Sequence, residues 1–423
     1  MYFVGDLLAP ELGIALEEAA SLSSFWFDVS LEALNRSKFM STNPTIEALQ
    51  TIVVLPMVSY NFGASAYTES LLHVGLRIAQ LLKLHLLGPE PEDHRNLPPG
   101  LIQREIGRHV WLLLRLAEGR PDFANPGGLR LGQGLTAEPF NANFEDMTNT
   151  SVVERPLTEW TVMTHLLCAG RRYRIFRQFS EAFAEAPTLK DQYVIALAAD
   201  RALQDNFAAF PILQGSDNDH YDESNFDLHA PHDPSAHSRY LWTLLNAAGV
   251  VLVYRSFLGR SYSDERFSDV REKCLTAARE ILRQRRRRVP PMFLRTWPIA
   301  SYTVLAGVVI ATELVHGKPS PQERQQIVQE IRGAIDSLWE CGSNSLVVQR
   351  GVPLLKRFIE APETQAQSSE VPMPNLPAAQ ELWPTLPVEG QGAELWNTNE
   401  DVWSNALIAL ENDEASGWWT TLL

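Results

Sequence analysis

Apolar residues along this chain recur at spacings of three and four, which is the pattern of amphipathic helices. The clearest case lies between residues 65 and 85, where a serine can accept hydrogen bonds from the first free amides and Gly88-Pro89 should stop the helix. Its apolar stripe consists of Tyr67, Leu71, Val74, Ile78 and Leu82. We predict helices on either side, over 45–58 with a kink or end at Pro56, and over 101–117.

The same periodicity predicts an all-α protein, a large multi-helix array. The other predicted helices are two short ones within 11–40, with Phe25, Trp26 and Phe27 in the core, then 156–183, 189–210, 240–254, 275–288, 322–339 and 344–359, and an apolar helix over 298–315. Two of them, 240–254 and 298–315, are strongly apolar. Each is at or below the ~20 residues of a membrane span and contains a polar residue, Asn246 or Glu313, so we predict buried core helices.

Two sets of residues are notable for their order and spacing along the chain. The first runs through Ile46, Leu49 and Gln50, then Gly75, Ile78, Ala79, Leu82, Leu84 and His85, then Arg104, Arg108 and Trp111. The second holds Tyr254, Arg255, Ser256, Phe257 and Leu258, followed by Lys273, Cys274, Ala277 and Ala278. Taken together, they resemble the middle homology region of fungal binuclear zinc-cluster transcription factors. The resemblance implies a helical regulatory domain over 1–360 that senses a signal or holds a partner, in a nuclear regulator of a fungal metabolic or secondary-metabolite pathway.

Composition argues against direct DNA binding by this sequence. The net charge is −15 and the isoelectric point about 5.2, whereas phosphate contacts favour basic proteins. The three cysteines are too few for the six-cysteine zinc cluster of the resembled family and indicate a reduced intracellular protein. We therefore expect DNA contact only indirectly, through dimerisation with a zinc-cluster relative, or through an N-terminal head that this sequence lacks.

The last 63 residues differ from the rest of the chain in amino-acid composition. Residues 361–423 hold ten acidic residues and no lysine or arginine. Residues 361–392 have the Pro/Gln/Ser/Gly-rich composition of a linker. Residues 393–423 alternate acidic and apolar side chains, the pattern of an activation segment that binds protein partners such as the transcription machinery through Trp396, Trp403, Trp418 and Trp419. The alternative is an amphipathic helix docked on its own domain.

A run of arginines closes the helix predicted over 275–288. It contains Arg283, Arg285, Arg286, Arg287 and Arg288. These residues suit a solvated helix end, where cations complement the helix dipole, and they equally suit a nuclear import signal. The sequence leaves both interpretations open.

Candidate chemistry is sparse, and we predict no catalytic residue, metal or cofactor. Residues 132–137 match a dinucleotide fingerprint without the flanking strand and helix it needs. The histidine- and aspartate-rich stretch 215–237 contains residue types that bind metals, but we predict a solvent-exposed loop there. His165 and Cys168 share one helical face, where core packing is more usual than an activated thiolate.

Charged residues near the start of the helix over 101–117 predict only weak helix salt bridges, formed by Arg104, Glu105 and Arg108. Arginines of the helix over 156–183 are predicted to form a solvated face: Arg171, Arg172, Arg174 and Arg177. The competing hypothesis for the whole chain is a small-molecule-binding or catalytic protein built on the same helical scaffold, with a small-molecule effector as a further possible partner of the regulator.

Overall fold

The computed structural model describes residues 13, 15–40, 44–59, 65–118, 135–214, 234–287, 289, 294, 296–342 and 345–360. Helices dominate these residues, which contain no β-strand and a single isolated bridge between Met147 and Val152. The all-α prediction is confirmed. The main helices are α1 Leu16–Arg36, α2 Ile46–Val54, α3 Ser65–Leu81, α4 Leu101–Glu118, α5 Thr164–Glu185, α6 Leu189–Ala208, α7 Pro234–Leu258, α8 Ser268–Arg285, α9 Trp297–His316, α10 Pro321–Trp339 and α11 Leu346–Glu360.

Helix starts follow the sequence signals closely. The Thr45 hydroxyl accepts from the Ala48 amide at 3.2 Å and begins α2. Before α10, Ser320 and Glu323 form a reciprocal capping box, in which each side chain accepts from the other residue's amide. Pro56 ends α2 and starts a separate turn, Pro56–Ser59, as predicted.

Helices α1 to α4 share one apolar cluster. Leu49, Ile52, Leu76 and Leu114 are fully buried at its centre. Helix α3 lies close to both α2 and α4 because position 75 is glycine: a Cβ there would stand 3.1 Å from Leu114 and 3.2 Å from Ile52. The resemblance block that includes Gly75 therefore marks a real packing contact.

Helices α5 to α11 surround a larger cluster with α7 and α9 at its centre. Both central helices are long and apolar enough to cross a membrane by length and composition, yet most of the apolar window in each, 61% and 83%, is buried against other helices. Their predicted place in the core is confirmed. Gly351 of α11 lies so close to α9 that a Cβ would come within 2.3 Å of Val304.

The two groups of helices meet where α4 packs on α5. A Cβ on Gly170 would lie 2.8 Å from Leu112, so the glycine permits the approach. Beside it, the Arg115 guanidinium sits 5.7 Å from the Tyr173 ring centroid and 5.9 Å from that of Trp111. Cation–π contacts of this kind stabilise a junction whose arginine is buried.

The N-terminal predictions need correction. One continuous helix, α1, replaces the two short helices predicted within 11–40, and Phe25 and Trp26 are 54% and 52% exposed rather than core. Helix α3 ends at Leu81, before the predicted stop, because Lys83 adopts a left-handed φ of 60° and a short 3-10 turn follows. Tyr67 is exposed, although the rest of its predicted stripe is buried or partly buried.

The start of α5 also differs from prediction. The helix begins at Thr164, not at 156, because residues before it are held by an irregular hydrogen-bonded connection. In that connection the buried Asn141 amide donates to the Arg155 and Pro156 carbonyls, and its oxygen accepts from the Thr161 hydroxyl at 2.6 Å. These bonds satisfy the backbone that a helix would otherwise have used.

Candidate functional sites

His165 and Cys168 lie at the start of α5, facing α6 and α7. His165 Nδ1 accepts a hydrogen bond from the Trp242 indole N–H at 2.9 Å, which fixes its proton on Nε2. Burial, assisted by the neighbouring His237, lowers the pKa of His165 to about 4. The imidazole is therefore neutral near pH 7 and is occupied in orienting Trp242.

Cys168 is fully buried and does not pair with His165. Its carbonyl and its sulfur instead accept from the Asn206 side-chain amide, at 3.2 and 3.6 Å. Burial raises the pKa of the Cys168 thiol to about 12, against the weaker influence of Arg172 and the amide. Apolar side chains enclose the group: Met163, Leu167, Phe210, Leu213 and Trp242. The thiol is kept protonated, as a packed core cysteine is and an activated nucleophile is not.

Four charged side chains form a buried ionic cluster at the start of α4. Arg104 holds Glu90 with two parallel bonds, 2.6 Å from Nε to Oε1 and 2.9 Å from Nη2 to Oε2. Arg108, 2% exposed, donates to Glu90 and to the Gly88 carbonyl, both at 2.7 Å, and also pairs with Glu105. We refer to Glu90, Arg104, Glu105 and Arg108 as the α4 ionic cluster.

The α4 ionic cluster fastens two connections to one helix. Glu105 accepts from the Phe140 amide at 3.0 Å, and Arg104 donates to the Pro98 and Pro99 carbonyls. Burial acts to raise the pKa of Glu90, but the bonds from both arginines outweigh it and hold that pKa below its ordinary value. The predicted helix pair between Arg108 and Glu105 is present, but it is buried rather than isolated, because Arg108 also binds Glu90. Glu90 lies 14 residues before Arg104, so helical spacing cannot reveal it.

The arginines of α5 are not one solvated face. Arg171 and Arg174 both pair with Glu138, on the connection that precedes the helix. Arg172 stacks on the Phe176 ring at 4.6 Å from its centroid and approaches Gly249 of α7 closely enough that a Cβ there would stand 2.7 Å from Nη1. Arg172 thus packs α5 against α7, whereas Arg171 and Arg174 bind the preceding connection. Arg177 pairs with Glu181 on its own helix. The predicted solvated face is corrected, although Arg174 is exposed.

A polar cluster that the sequence did not indicate joins α6, α7 and α8. The Tyr254 hydroxyl donates to Asp200 at 2.8 Å and accepts from Lys273 at 3.0 Å, and Tyr193 donates to Asp269 at 2.7 Å. A tyrosine beside a lysine suggests acid–base chemistry, but burial raises the pKa of Tyr254 and its bond to Asp200 raises it further. The cluster therefore joins the helices structurally. Its partners are separated by 19 to 76 residues, so no local spacing signals them.

The structure divides the predicted import arginines. Arg285 is buried, donating to the Tyr240 hydroxyl at 3.1 Å and to the Ser337 carbonyl at 2.6 Å. Arg283 is exposed and pairs with Glu280 on its own helix, and Arg286 is exposed. Arg287 is partly buried and donates to the side-chain oxygen Oε1 of Gln284 at 3.1 Å. The side chain of Arg288 lies outside the described residues, so import through this run stays a prediction, and Arg285 has a structural role instead.

Several predicted features fall outside the described residues. They are the fingerprint match at 132–134, the loop 215–233 with its three histidines, the linker 361–392, and the segment 393–423 with Trp396, Trp403, Trp418 and Trp419. His237 of that histidine set belongs to α7 and is partly buried, and burial lowers its pKa to about 4. Within the part of the chain that the structure describes, no three His, Cys, Asp or Glu side chains are grouped as metal ligands.

Comparison with known proteins relates the chain to a transcription factor. It is 22% identical over 360 residues to the agnestins biosynthesis cluster transcription factor AgnL11 of Paecilomyces divaricatus, a match that covers 81% of this chain. The chain spans about half, 51%, of the length of that curated relative. No family model and no solved structure matches.

Proposed function

We propose that this chain is the regulatory part of a transcriptional regulator of a fungal metabolic or secondary-metabolite pathway. The likeness to a biosynthesis-cluster transcription factor along 81% of the chain carries the proposal. The arrangement of the core is compatible with it. The Cys168 thiol is held protonated, and His165 accepts a hydrogen bond from Trp242. The α4 ionic cluster binds two connections to its helix, and the polar cluster of Tyr254 and Lys273 joins α7 and α8.

The proposed regulator reaches DNA through another domain or partner. The sequence has three cysteines, all buried and free, and its net charge of −15 disfavours contact with phosphates. Dimerisation with a zinc-cluster relative supplies DNA contact in this proposal, and the acidic segment 393–423 recruits the transcription machinery.

A tethering experiment tests the proposal. The chain is fused to a heterologous DNA-binding domain in a fungal nucleus, beside a reporter gene with the matching site. We expect reporter output to change, and deletion of 361–423 to abolish activation. A matched control replaces Trp396, Trp403, Trp418 and Trp419 by alanine, which keeps every acidic charge but removes the aromatic groups that enter partner grooves. A tethered chain that leaves the reporter unchanged contradicts the proposal.

Nuclear import is tested separately, with a fluorescent fusion that lacks any other import signal. Alanine is substituted at Arg283, Arg286, Arg287 and Arg288, whereas Arg285 is retained because its bonds to Tyr240 and Ser337 belong to the core. We expect the variant to lose nuclear enrichment. Retained enrichment would assign the run to its other interpretation, a helix end.

A further inference from the structure

The C-terminal half of α8 and the neighbouring α10 present a basic surface. Arg279, Arg283 and Arg286 follow one another at helical spacing along the exposed side of α8, and Arg332 lies on the exposed side of α10. Arg279 bridges the two helices through Glu330, with 3.1 Å between Nε and Oε1. We call Arg279, Arg283, Arg286, Arg332 and Trp339 the arginine face.

Two of these arginines have no neutralising partner among the described residues. Arg279 and Arg283 pair with glutamates, but the side chains of Arg286 and Arg332 make no hydrogen bond or ion pair with the described residues. Arg286 lies over Gly333 of α10, where a Cβ would meet only its Nη2, at 3.7 Å. The Arg286 guanidinium thus reaches across from α8 to the surface of α10.

An exposed aromatic residue completes the surface. Trp339, the last residue of α10, is 47% exposed, and Arg285 anchors that end of α10 to α8 through the Ser337 carbonyl. Trp339 follows Arg332 by seven residues, which is two helical turns along the same side of α10. A surface that offers both guanidinium groups and an indole suits ligands that carry carboxylates and aromatic rings, because carboxylates pair with arginine and aromatic rings stack on it. A ligand with only one of these chemistries would leave half of the arginine face unused.

The chain itself contains a segment with that chemistry. Residues 393–423 alternate carboxylates with four tryptophans and contain no lysine or arginine. We propose that this acidic aromatic segment docks in cis on the arginine face, covering Arg283 and Arg286, two of the predicted import residues.

The length of the tether permits docking. The segment is joined to Glu360, the end of α11, through the 32 residues 361–392, and a chain of that length reaches at most about 110 Å. Helix α11 packs beside α10 and its 15 residues extend about 22 Å. The arginine face is thus within reach, and tethering raises the effective concentration of the segment to the millimolar range.

Another exposed apolar surface is a poorer match. Phe25 and Trp26 of α1 are more than half exposed, but Glu18, Asp28 and Glu32 are exposed on the same helix. These carboxylates repel a segment whose charge is entirely negative. The arginine face also carries carboxylates, and three of them already pair with arginines: Glu280, Glu330 and Glu340. Asp336 is the further exposed acid there, against the side chains of Arg286 and Arg332, whereas α1 sets its three carboxylates against Arg36. The balance of charge therefore favours the arginine face over the aromatic patch of α1.

Photo-crosslinking in the full-length purified chain tests the proposal. A benzoylphenylalanine replaces Trp403, the chain is irradiated at low and high salt, and crosslinked peptides are identified by mass spectrometry. We expect crosslinks within one chain to the peptides that contain 279–287 and 332–339. The yield should fall as salt rises, because exposed charge pairs are screened.

Charge reversal distinguishes docking from chance proximity. An exposed ion pair changes the docking equilibrium constant by up to about a factor of five. The double variant R286E/R332E removes two such pairs and should therefore lower the crosslink yield about tenfold or more. The matched control R77E/R201E makes the same charge change at exposed arginines elsewhere and should leave the yield within about twofold. Circular dichroism confirms that both variants are folded.

Three outcomes would overturn the proposal: crosslinks confined to α1 or to other surfaces, crosslinks only between two chains, or equal yields for the two double variants. The measurement needs no DNA or reporter. A negative crosslinking result therefore does not contradict the proposed regulatory function, and an unchanged reporter does not contradict the docking.

Discussion

Replacing Arg108 by methionine removes the most buried cation of the α4 ionic cluster while filling a similar volume. The change deletes the bonds to Gly88, Glu90 and Glu105 together. Glu90 keeps its two bonds from Arg104, but Glu105, 3% exposed at its side chain, keeps only the Phe140 amide and a distant imidazole. Because a buried charge then lacks its partner, we expect unfolding to become easier by about 3–5 kcal/mol.

The penalty should depend on pH in a specified direction. Burial already holds the pKa of Glu105 above its ordinary 4.5, opposed by the Phe140 amide and by Arg108. Without Arg108 that pKa rises further, so the folded variant binds more protons than the unfolded chain between about pH 4.5 and the raised pKa. Stability of the variant therefore falls as pH rises through this window, and the destabilisation is larger at pH 8 than at pH 5.

Urea unfolding followed by circular dichroism at pH 5 and pH 8 measures both effects. The double variant E105Q/R108M should recover part of the loss, because the orphaned carboxylate is now neutral. A matched surface control is R36M, which breaks the exposed pair between Arg36 and Glu32 and should cost less than about 1 kcal/mol. A loss below 1 kcal/mol for R108M at both pH values would refute the buried-cluster reasoning.

Further predictions concern packing and titration. Gly351→Ala should destabilise by about 1–3 kcal/mol in urea unfolding because its Cβ collides with Val304, whereas Gly259→Ala, with open space around it, should be neutral or slightly stabilising. Cys168 in the folded chain should react with iodoacetamide about a thousandfold or more slowly than in the unfolded chain, by mass spectrometry at pH 8, because burial raises its pKa to about 12; ordinary labelling would revive the catalytic hypothesis. His165, with a folded pKa of about 4, must stay neutral in the fold, so acid titration of unfolding should lose up to about 3 kcal/mol between pH 6.5 and 4, and less in H165Q; equal slopes would contradict it.

Local signals in the sequence were sufficient for most helices. Pro56 ended α2, the Ser320 capping box began α10, and the apolar runs over 240–254 and 298–315 became core helices, because each of these features acts within a few residues. Patterns failed where a neighbour decided the outcome. Trp26 is large and apolar, yet exposed, because α1 lies at the edge of the N-terminal group.

For charged residues too, the local pattern predicted the helix but not the burial. The sequence placed Arg104, Glu105 and Arg108 on one helix but gave no sign of Glu90, which binds both arginines and lies buried with Glu105 and Arg108. It likewise treated Arg285 as one of five similar arginines, although the structure takes that one into the core. Burial of an ion depends on which distant segment covers it.

What the sequence by itself determined is the all-α class, the approximate helix order, the acidic balance and the shortage of cysteines for a zinc cluster. What only the tertiary structure decided is which polar side chains lie inside. The Cys168–Asn206 contact and the Tyr254–Asp200–Lys273 cluster join residues 19 to 54 positions apart. Helical periodicity reports which residues share a face of one helix, whereas packing between helices determines what that face meets.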